Sequence, residues 1–175
     1  MKYCIKCGSD KINFNIPEGD NLPRFNCSKC DYIHYSNPRI IVGCLIYDDN
    51  KVLLAKRAIE PRYGLWNLPA GFMEEGEDVA KGASREAYEE TGFIVEIESL
   101  HCIYSVPHVS QVFVIFKASI KEKTDKKTPE TSELRFFSKK DIPWGDLAFS
   151  SNTFALRKFF KNNIDSKEVH VGLKC

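Results

Sequence analysis

Two runs of apolar residues begin the main part of the chain. Arg39 to Tyr47 is apolar and rich in β-branched residues, which predicts a buried strand. Asp48-Asp49-Asn50 interrupts the run as a turn, and Lys51 to Lys56 resumes it, so we expect a hairpin. After a loop, Leu65 to Pro69 is expected as a short extended piece.

A helix is predicted next. Asp78 is suited to cap it, the helix is expected to run to about Thr91, and Gly92 is suited to end it. The other expected elements are strands over Ile94–Val106, Gln111–Ile120 and Leu134–Ser138, a solvated loop over Lys121–Lys127, and a helix over Asn152–Asn163. Strands mixed with one central and one terminal helix favour an α/β or α+β sandwich.

The two ends of the chain differ from its middle. The chain has 175 residues, enough for one well-packed domain and a small appendage. Residues 1–36 contain paired cysteines and many Asn, Lys and Gly residues, whereas residues 166–175 resemble a tail. We therefore predict a small N-terminal unit over 1–36, a main domain over 37–165 and a C-terminal tail over 166–175.

Charge and composition narrow the class of function. A net charge of +1, from 25 basic and 24 acidic residues, gives no long-range attraction to nucleic acid or an anionic membrane. The first ten residues are polar, and no apolar run approaches the roughly 20 residues that a membrane span needs. We expect a cytoplasmic protein without membrane association.

Four of the seven cysteines form two C-x-x-C pairs with nineteen residues between them. This is the spacing of a closed tetrahedral zinc site, whose role is structural. The expected Zn²⁺ ligands are Cys4, Cys7, Cys27 and Cys30. Free thiols and a redox motif are the alternatives. Cys44 and Cys102 lie in apolar stretches and are expected in the core.

The N-terminal unit offers limited support for nucleic-acid binding. Its lysines are accompanied by Glu18 and Asp20, so it is not strongly basic. We favour its packing on the main domain or on a second subunit, and a homodimer is one possibility.

Three glutamates of the predicted helix share one face. Glu86, Glu89 and Glu90 stand at positions i, i+3 and i+4. Carboxylates placed so close together repel one another, and a divalent cation that prefers oxygen ligands, Mg²⁺ or Mn²⁺, would remove the repulsion. Arg85 is expected to pair with Glu77 and so to tie the preceding loop to the helix.

The stretch Gly71–Phe93 resembles the Nudix box, Gly-x5-Glu-x7-Arg-Glu-U-x-Glu-Glu-x-Gly-U, where U is bulky and apolar. Its fixed positions are filled by Gly71, Glu77, Arg85, Glu86, Glu89, Glu90 and Gly92. Ala87 is small for the first U position. The resemblance implies an α/β/α sandwich around a mixed sheet and hydrolysis of a diphosphate linked to another moiety. It also implies that the three helix glutamates hold the catalytic metal, with the backbone carbonyl of Ala70 or Gly71 as a further ligand.

The resemblance leaves the general base open between two residues. Glu86 serves in part of the family, whereas a glutamate from a distal loop serves in the ADP-ribose-type members. That loop is expected at Thr128–Glu133, where Glu133 is the preferred base and Glu130 a loop or substrate contact. Arg85 completes the catalytic candidates.

Further similarity covers roughly residues 1–155. Asn37–Cys44 and Lys56–Glu74 are similar to zinc-ribbon Nudix proteins of bacteria and to the plant chloroplast FAD and ADP-ribose pyrophosphohydrolase. This implies Mg²⁺-dependent cleavage of FAD or ADP-ribose into AMP and the other phosphate half. Arg57 and Gln111 are candidate substrate contacts, although Arg57 also suits a surface position at the end of a strand.

Two other functions stay open. NAD(H) pyrophosphatases carry a Ser-Gln-Pro-Trp-Pro-Phe-Pro array after the box, whereas here Ser110-Gln111 is followed by Val112-Phe113. This departure argues against NADH as the main substrate. The third possibility is a protein that senses a nucleotide or binds RNA through its N-terminal unit.

Overall fold

The computed structural model describes residues 1–126, 128–161 and 166–174. The chain divides into two units, Met1–Asn37 and Pro38–Cys175. The predicted helix end at Asn163, the predicted domain end at residue 165 and Cys175 lie outside the described residues.

The first unit contains a small antiparallel sheet with the strand order β1-β2-β3. Its strands are β1 (Ile12–Asn15), β2 (Arg24–Cys27) and β3 (Ile33–His34). Phe14 and Phe25 lie opposite each other on β1 and β2, with their ring centroids 4.8 Å apart. Because so small a sheet buries little apolar surface, a unit of this kind depends on another source of stability.

The second unit begins with the predicted hairpin. β4 (Arg39–Asp48) and β5 (Lys51–Arg57) pair only next to the turn, at Tyr47 with Val52 and at Asp48 with Lys51. Beyond this point the two strands diverge. β5 pairs with β6 (Trp66–Asn67), and β4 pairs with β7 (Ala70–Phe72).

The remaining elements complete the sheet and its helices. They are α1 (Val79–Thr91), β8 (Phe93–Val106), β9 (Gln111–Lys123), β10 (Thr131–Ser138), α2 (Ser150–Lys161) and β11 (His170–Leu173). The strand order is β10-β5-β4-β9-β8-β11. β4 and β9 run parallel, as do β8 and β11, and the other neighbours in this order are antiparallel.

Alternate residues of β4 pack on opposite faces of the sheet, as strand geometry requires. Ile41 and Leu45 join the core cluster that includes Leu156 of α2. Val42 and Cys44 join the cluster that includes Ala83 of α1. The sheet therefore has one helix on each face, which confirms the expected α/β/α sandwich around a mixed sheet.

Both ends of α1 form as predicted. The Asp78 carboxylate accepts hydrogen bonds from the backbone N–H groups of Ala80, at 3.1 Å, and Lys81, at 2.8 Å. Gly92 has a φ of 72° and donates its backbone N–H to the carbonyl of Tyr88. This left-handed conformation suits glycine and ends the helix.

Four local predictions were wrong. Lys121–Lys123 belong to β9 rather than to a loop, and Thr131–Glu133 belong to β10. α2 begins at Ser150, two residues before the predicted start, and β11 lies within the predicted tail. The charged end of β9 pairs with β8, and β11 pairs with Cys102–Ser105 of the same strand. Pairing with another strand, rather than local composition, therefore determines that these two segments are extended.

Cys44 and Cys102 are fully buried, as predicted. No helix in the described part of the chain is long and apolar enough to cross a membrane.

Candidate active site and cysteine cluster

The four cysteines of the N-terminal unit converge. The Sγ atoms of Cys4 and Cys30 are 3.7 Å apart, as are those of Cys7 and Cys27, and all four lie within 4.8 Å of one another. Tetrahedral zinc with Zn–S bonds of about 2.3 Å requires sulfur separations of roughly 3.8 Å. All four are thiols rather than disulfides, so the donor set and its spacing fit a zinc ion.

The backbone repeats the same turn at both pairs. Gly8 donates its N–H to the Cys4 carbonyl and Asp31 donates to the Cys27 carbonyl, each at 2.9 Å. Each turn folds a cysteine pair back on itself, so that both thiols point to the same side. This geometry explains why the C-x-x-C spacing was informative.

In the second unit, Arg85 lies at the centre of a network of carboxylates. Its Nε donates to Glu77 at 2.6 Å, as predicted. One guanidinium NH also donates to Glu86 at 2.8 Å and to Glu89 at 2.9 Å, and the other donates to the carbonyl of Phe72 at 3.0 Å. Arg85 therefore holds the loop, the helix and two of the three helix glutamates together.

This network shows that the helix glutamates are not without a counter-charge, contrary to what was expected from the sequence. Glu86 and Glu89 have a counter-charge in Arg85, so repulsion between them alone does not require a cation. Hydrogen bonds from Arg85 hold the pKa of Glu77 low, at about 2, so Glu77 stays ionised and the link persists over the physiological range.

Glu90 has no such ion pair among the described residues. Its side chain is buried, with 7% of the residue exposed. Burial, and then the nearby charge of Glu86, raise the pKa of Glu90 to about 8. Asn67 Nδ2 lies 3.5 Å from Glu90 Oε2, at the limit of a hydrogen bond. The charge of Arg57 and a backbone hydrogen bond at Ala70 oppose this rise only in part, and a buried carboxylate of this kind suits a divalent cation.

Glu86 is a second, half-buried carboxylate of the site. Burial raises its pKa, and the charges of Glu89 and Glu130 raise it further against the opposing effect of Arg85. Gly71 lies directly against it, because a Cβ at position 71 would overlap the Glu86 carboxylate. The first glycine of the motif is thus adjacent to the first glutamate of the helix.

These residues line a cleft of about 700 Å³, a volume that suits a nucleotide-sized ligand. Sequence-predicted site residues on its wall are Arg57, Gly71, Arg85, Glu86, Glu89, Glu90, Gln111 and Glu130. Apolar side chains of Ile41, Phe72, Phe113 and Phe149 also line it. The cleft is thus lined by both apolar and charged side chains.

The structure separates the two candidate glutamates of the distal segment. Glu130 lines the cleft, and its charge acts on Glu86. Glu133 is not among the lining residues and instead lies on β10, with Oε2 3.6 Å from Lys56 Nζ. Strand pairing places Glu133 opposite Lys56, so of the two glutamates only Glu130 lines the cleft together with Glu86.

Arg57 is held at the end of β5 with its guanidinium in the cleft wall. Its Nε donates to the carbonyl of Pro61 at 2.8 Å, and its Cζ lies 5.4 Å from the centre of the Phe149 ring. Within the described residues it forms no ion pair with a carboxylate. Its charge nevertheless acts on Glu90. These contacts orient the guanidinium within the cleft wall.

Lys126 is a cleft residue that was not predicted from the sequence. It lines the cleft, and its Nζ lies 4.0 Å from the centre of the Tyr88 ring. The backbone N–H and hydroxyl of Thr124 both bind the Gly92 carbonyl, which docks this segment on the end of α1. In the sequence, nothing distinguishes Lys126 from the other lysines near it. It can be recognised as a cleft residue only because the Thr124 hydrogen bonds hold this segment against the end of α1.

The comparisons with known proteins agree with this geometry. The NUDIX domain family matches residues 37–160, and the zinc-ribbon family described as Nudix N-terminal matches residues 2–36. The chain belongs to the Nudix family, which confirms the resemblance seen in its sequence. It is a Nudix pyrophosphohydrolase, and enzymes of this family generally use divalent metal ions.

Particular relatives cover different parts of the chain. A crystal structure of a NUDIX hydrolase from Nitrosomonas europaea is 44% identical, covers 99% of both chains and superposes with a TM-score of 0.91. An ADP-ribose pyrophosphatase of Methanocaldococcus jannaschii is 36% identical over 118 residues, covering 64% of this chain and 69% of its own length. An NAD-capped RNA hydrolase of Vibrio atlanticus is 30% identical over 94% of this chain, which spans only 58% of that relative.

Proposed function

We propose that this enzyme hydrolyses the diphosphate of ADP-ribose, giving AMP and ribose 5-phosphate. The observation that carries the proposal is the cleft that the carboxylates of Glu86 and Glu90 line together with the cations Arg57 and Lys126. Carboxylates suit the binding of divalent cations, and the basic side chains suit the phosphate oxygens of a diphosphate. The relative named as an ADP-ribose pyrophosphatase supports the choice of substrate.

We propose Glu86, Glu89 and Glu90 as the ligands of Mg²⁺ or Mn²⁺, with a backbone carbonyl at Gly71 as an additional ligand. When bound, such an ion offsets phosphate charge and lowers the pKa of water, which makes a nucleophile available near neutral pH. Arg85, saturated by carboxylates and the Phe72 carbonyl, positions Glu86 and Glu89 instead of binding substrate. Glu77 and Gly92 keep the loop and the helix end in place.

Glu130 and Glu86 are the proposed candidates for the proton acceptor. Both line the cleft, and their charges interact. A carboxylate at this position takes a proton from the attacking water, so that the leaving phosphate departs as the new P–O bond forms. Glu133 is not proposed for this role, because it is paired with Lys56.

Arg57 and Lys126 are proposed to bind the two phosphates. Each projects into the cleft without an ion pair to a carboxylate among the described residues. Gln111 lies in the same wall beside Phe113 and is proposed to contact the nucleoside part. FAD shares the ADP half of ADP-ribose and is the second substrate we propose, with FMN and AMP as products.

A second candidate function is hydrolysis of the NAD diphosphate. The alignment with the NAD-capped RNA hydrolase covers 94% of this chain. Against it, Val112 and Phe113 follow Gln111 where the NAD(H) enzymes have proline-rich sequence. We therefore rank NADH below ADP-ribose and FAD.

A substrate panel tests this ranking. Purified full-length enzyme is incubated with ADP-ribose, FAD and NADH in Mg²⁺, and kcat/KM is measured from AMP release for each. We expect the highest value for ADP-ribose. A higher value for NADH would replace the proposed substrate. A Glu90→Gln variant that retained full activity would contradict the metal ligands instead.

We propose that the two units act as a catalytic domain and a zinc ribbon. The ribbon would hold one structural Zn²⁺ through its four cysteines. Its basic side chains are partly engaged, since Arg24 Nε lies 3.1 Å from Asp20. We therefore do not assign nucleic acid or membranes as partners. The free thiols of the chain favour a cytoplasmic location.

A further inference from the structure

The last strand leaves an apolar edge on the sheet. β11 ends the strand order, and no described strand lies beside its outer edge. Val171 is 76% exposed and Leu173 is 58% exposed, and Val169 just before the strand is 44% exposed. Exposed edges of this kind readily pair with another strand unless charges or proline block them.

The outer edge also presents hydrogen-bonding groups. Lys174 donates its backbone N–H to the carbonyl of Ser105 on β8, at 2.9 Å. Backbone groups of successive residues alternate between the two edges of a strand. The N–H and C=O groups of Val169, Val171 and Leu173 therefore point away from β8, along the outer edge.

The opposite edge of the sheet is different. The exposed residues on β10 are Ser132, Glu133 and Arg135, all of them polar. Charged side chains on an edge strand discourage pairing with another chain. Of the two edge strands, only β11 has exposed aliphatic side chains on residues whose backbone N–H and C=O groups point away from the sheet.

The β11 segment is complementary to itself in one antiparallel register. When Val171 lies opposite Val171 of a second copy, Val169 of one chain lies opposite Leu173 of the other. The backbone groups of all these residues point to the outer edge of β11, so they can form hydrogen bonds between the two chains. In the same register Glu168 faces Lys174, so each end of the pairing joins opposite charges. Shifting the register by two residues separates Glu168 from Lys174 and leaves an aliphatic side chain without an aliphatic partner.

We propose that β11 pairs antiparallel with β11 of a second copy of this chain, about a twofold axis at Val171. The contact is isologous, so the Val169–Leu173 and Glu168–Lys174 pairs each occur twice, whereas the Val171 pair lies on the axis and occurs once. It would join the two central sheets into one. The proposal does not depend on which diphosphate the enzyme hydrolyses.

Sedimentation velocity of the full-length protein over a range of concentrations tests this pairing. We expect a dimer with twice the chain mass of 20.0 kDa. Val171→Lys places two like charges opposite each other at the axis and removes an apolar contact, so the dissociation constant should rise roughly tenfold or more. Ile94→Lys is the matched control, since Ile94 is 39% exposed but lies at the other end of β8.

Charge reversal tests the register. Glu168→Lys or Lys174→Glu alone would place like charges opposite each other and weaken the dimer by roughly threefold or more. The double reversal restores opposite charges and should recover most of the lost affinity. Glu168 also lies 3.7 Å from His170 in its own chain, so recovery is judged against the single variants.

Each outcome decides the proposal. A protein that stays monomeric at every concentration would overturn it, as would a dimer that Val171→Lys leaves unchanged. A dimer weakened by Val171→Lys but not rescued by the double reversal would overturn the register. Weakening by each single variant with recovery in the double variant supports the proposed pairing.

Discussion

Gly71 lies so close to Glu86 that a Cβ at position 71 would overlap its carboxylate. The overlapped atoms are at the end of a flexible side chain, so Gly71→Ala can be accommodated by moving Glu86. We expect kcat to fall roughly 100-fold, because small displacements of a reacting group are costly, while the melting temperature changes little. Steady-state kinetics and a thermal melt measure both.

Gly43→Ala is the matched control. A Cβ at position 43 would overlap the Ala70 side chain and the Pro69 carbonyl, and a backbone group cannot move aside cheaply. We expect a loss of stability of about 1–3 kcal/mol. If Gly71→Ala destabilised the protein as much as Gly43→Ala and lost no activity, the inferred role of Gly71 would be wrong.

Glu90→Gln should abolish most activity without destabilising the fold. The neutral amide keeps the shape of the side chain and avoids burying a charge, but it is a poorer ligand for Mg²⁺. We expect kcat to fall roughly 100-fold or more, with the melting temperature in chelator unchanged or raised. Glu75→Gln, at an exposed position outside the cleft lining, should leave both unchanged.

Arg57 and Lys126 should contribute separately to substrate binding. Arg57→Ala removes the guanidinium held against Phe149, and kcat/KM should fall roughly 10–100-fold. Lys126→Gln should lower it by about tenfold, since a single charge-assisted contact is lost. Lys121→Gln removes an exposed lysine on β9 and serves as the control. Unchanged kinetics for Lys126→Gln would remove that residue from the site.

His101 should make the fold sensitive to acid. It is 1% exposed, its Nε2 lies 2.9 Å from the Ala155 carbonyl, and burial lowers its pKa from 6.5 to about 4. Between these values the unfolded chain binds a proton that the folded chain does not. The stability associated with neutral His101 is therefore complete above pH 6.5 and is lost as the pH falls toward 4.

Urea unfolding at pH 7 and pH 4.5 measures this loss. We expect the wild type to lose on the order of 2–3 kcal/mol through His101 alone, and His101→Gln to lose correspondingly less over the same interval. Burial also lowers the pKa of His170, which acts in the same direction in both proteins. Equal acid sensitivity of the two proteins would contradict the prediction.

Removal of one ribbon cysteine should remove the zinc. We expect about one Zn²⁺ per chain by atomic absorption, since four thiolates fill a structural site. Cys27→Ser should reduce the content to near zero. Cys102→Ala, which alters a buried cysteine of the second unit, should leave it unchanged. Wild-type protein without zinc would refute the assignment.

Most of the site features that could be predicted from the sequence depend on residues close together in the chain. The Asp78 cap, the Gly92 end and the spacing of Glu86, Glu89 and Glu90 depend on residues within one or two helical turns. The link between Arg85 and Glu77 follows from the same short segment. Such features were predictable because the backbone geometry of one helix and its preceding loop fixes them.

Pairing between strands that are far apart in the chain could not be predicted from such local features. β11 forms because it pairs with β8, a strand many residues earlier in the chain. Glu133 pairs across the sheet with Lys56, and Glu130 alone of the two reaches the cleft. A short segment contains no information about the strand that it will join, so neither β11 nor the different positions of Glu130 and Glu133 could be predicted locally.

By itself, the sequence determined the helix that carries the glutamates, the family to which the chain belongs and the cysteine spacing that suits zinc. Only the tertiary structure decided that Glu130 rather than Glu133 lines the cleft with Glu86, and that Lys126 joins Arg57 there. The features determined by the sequence depend on the spacing of residues along one element. The features decided by the tertiary structure depend on strand pairing and on the packing of loops, which bring together residues that are distant in the chain.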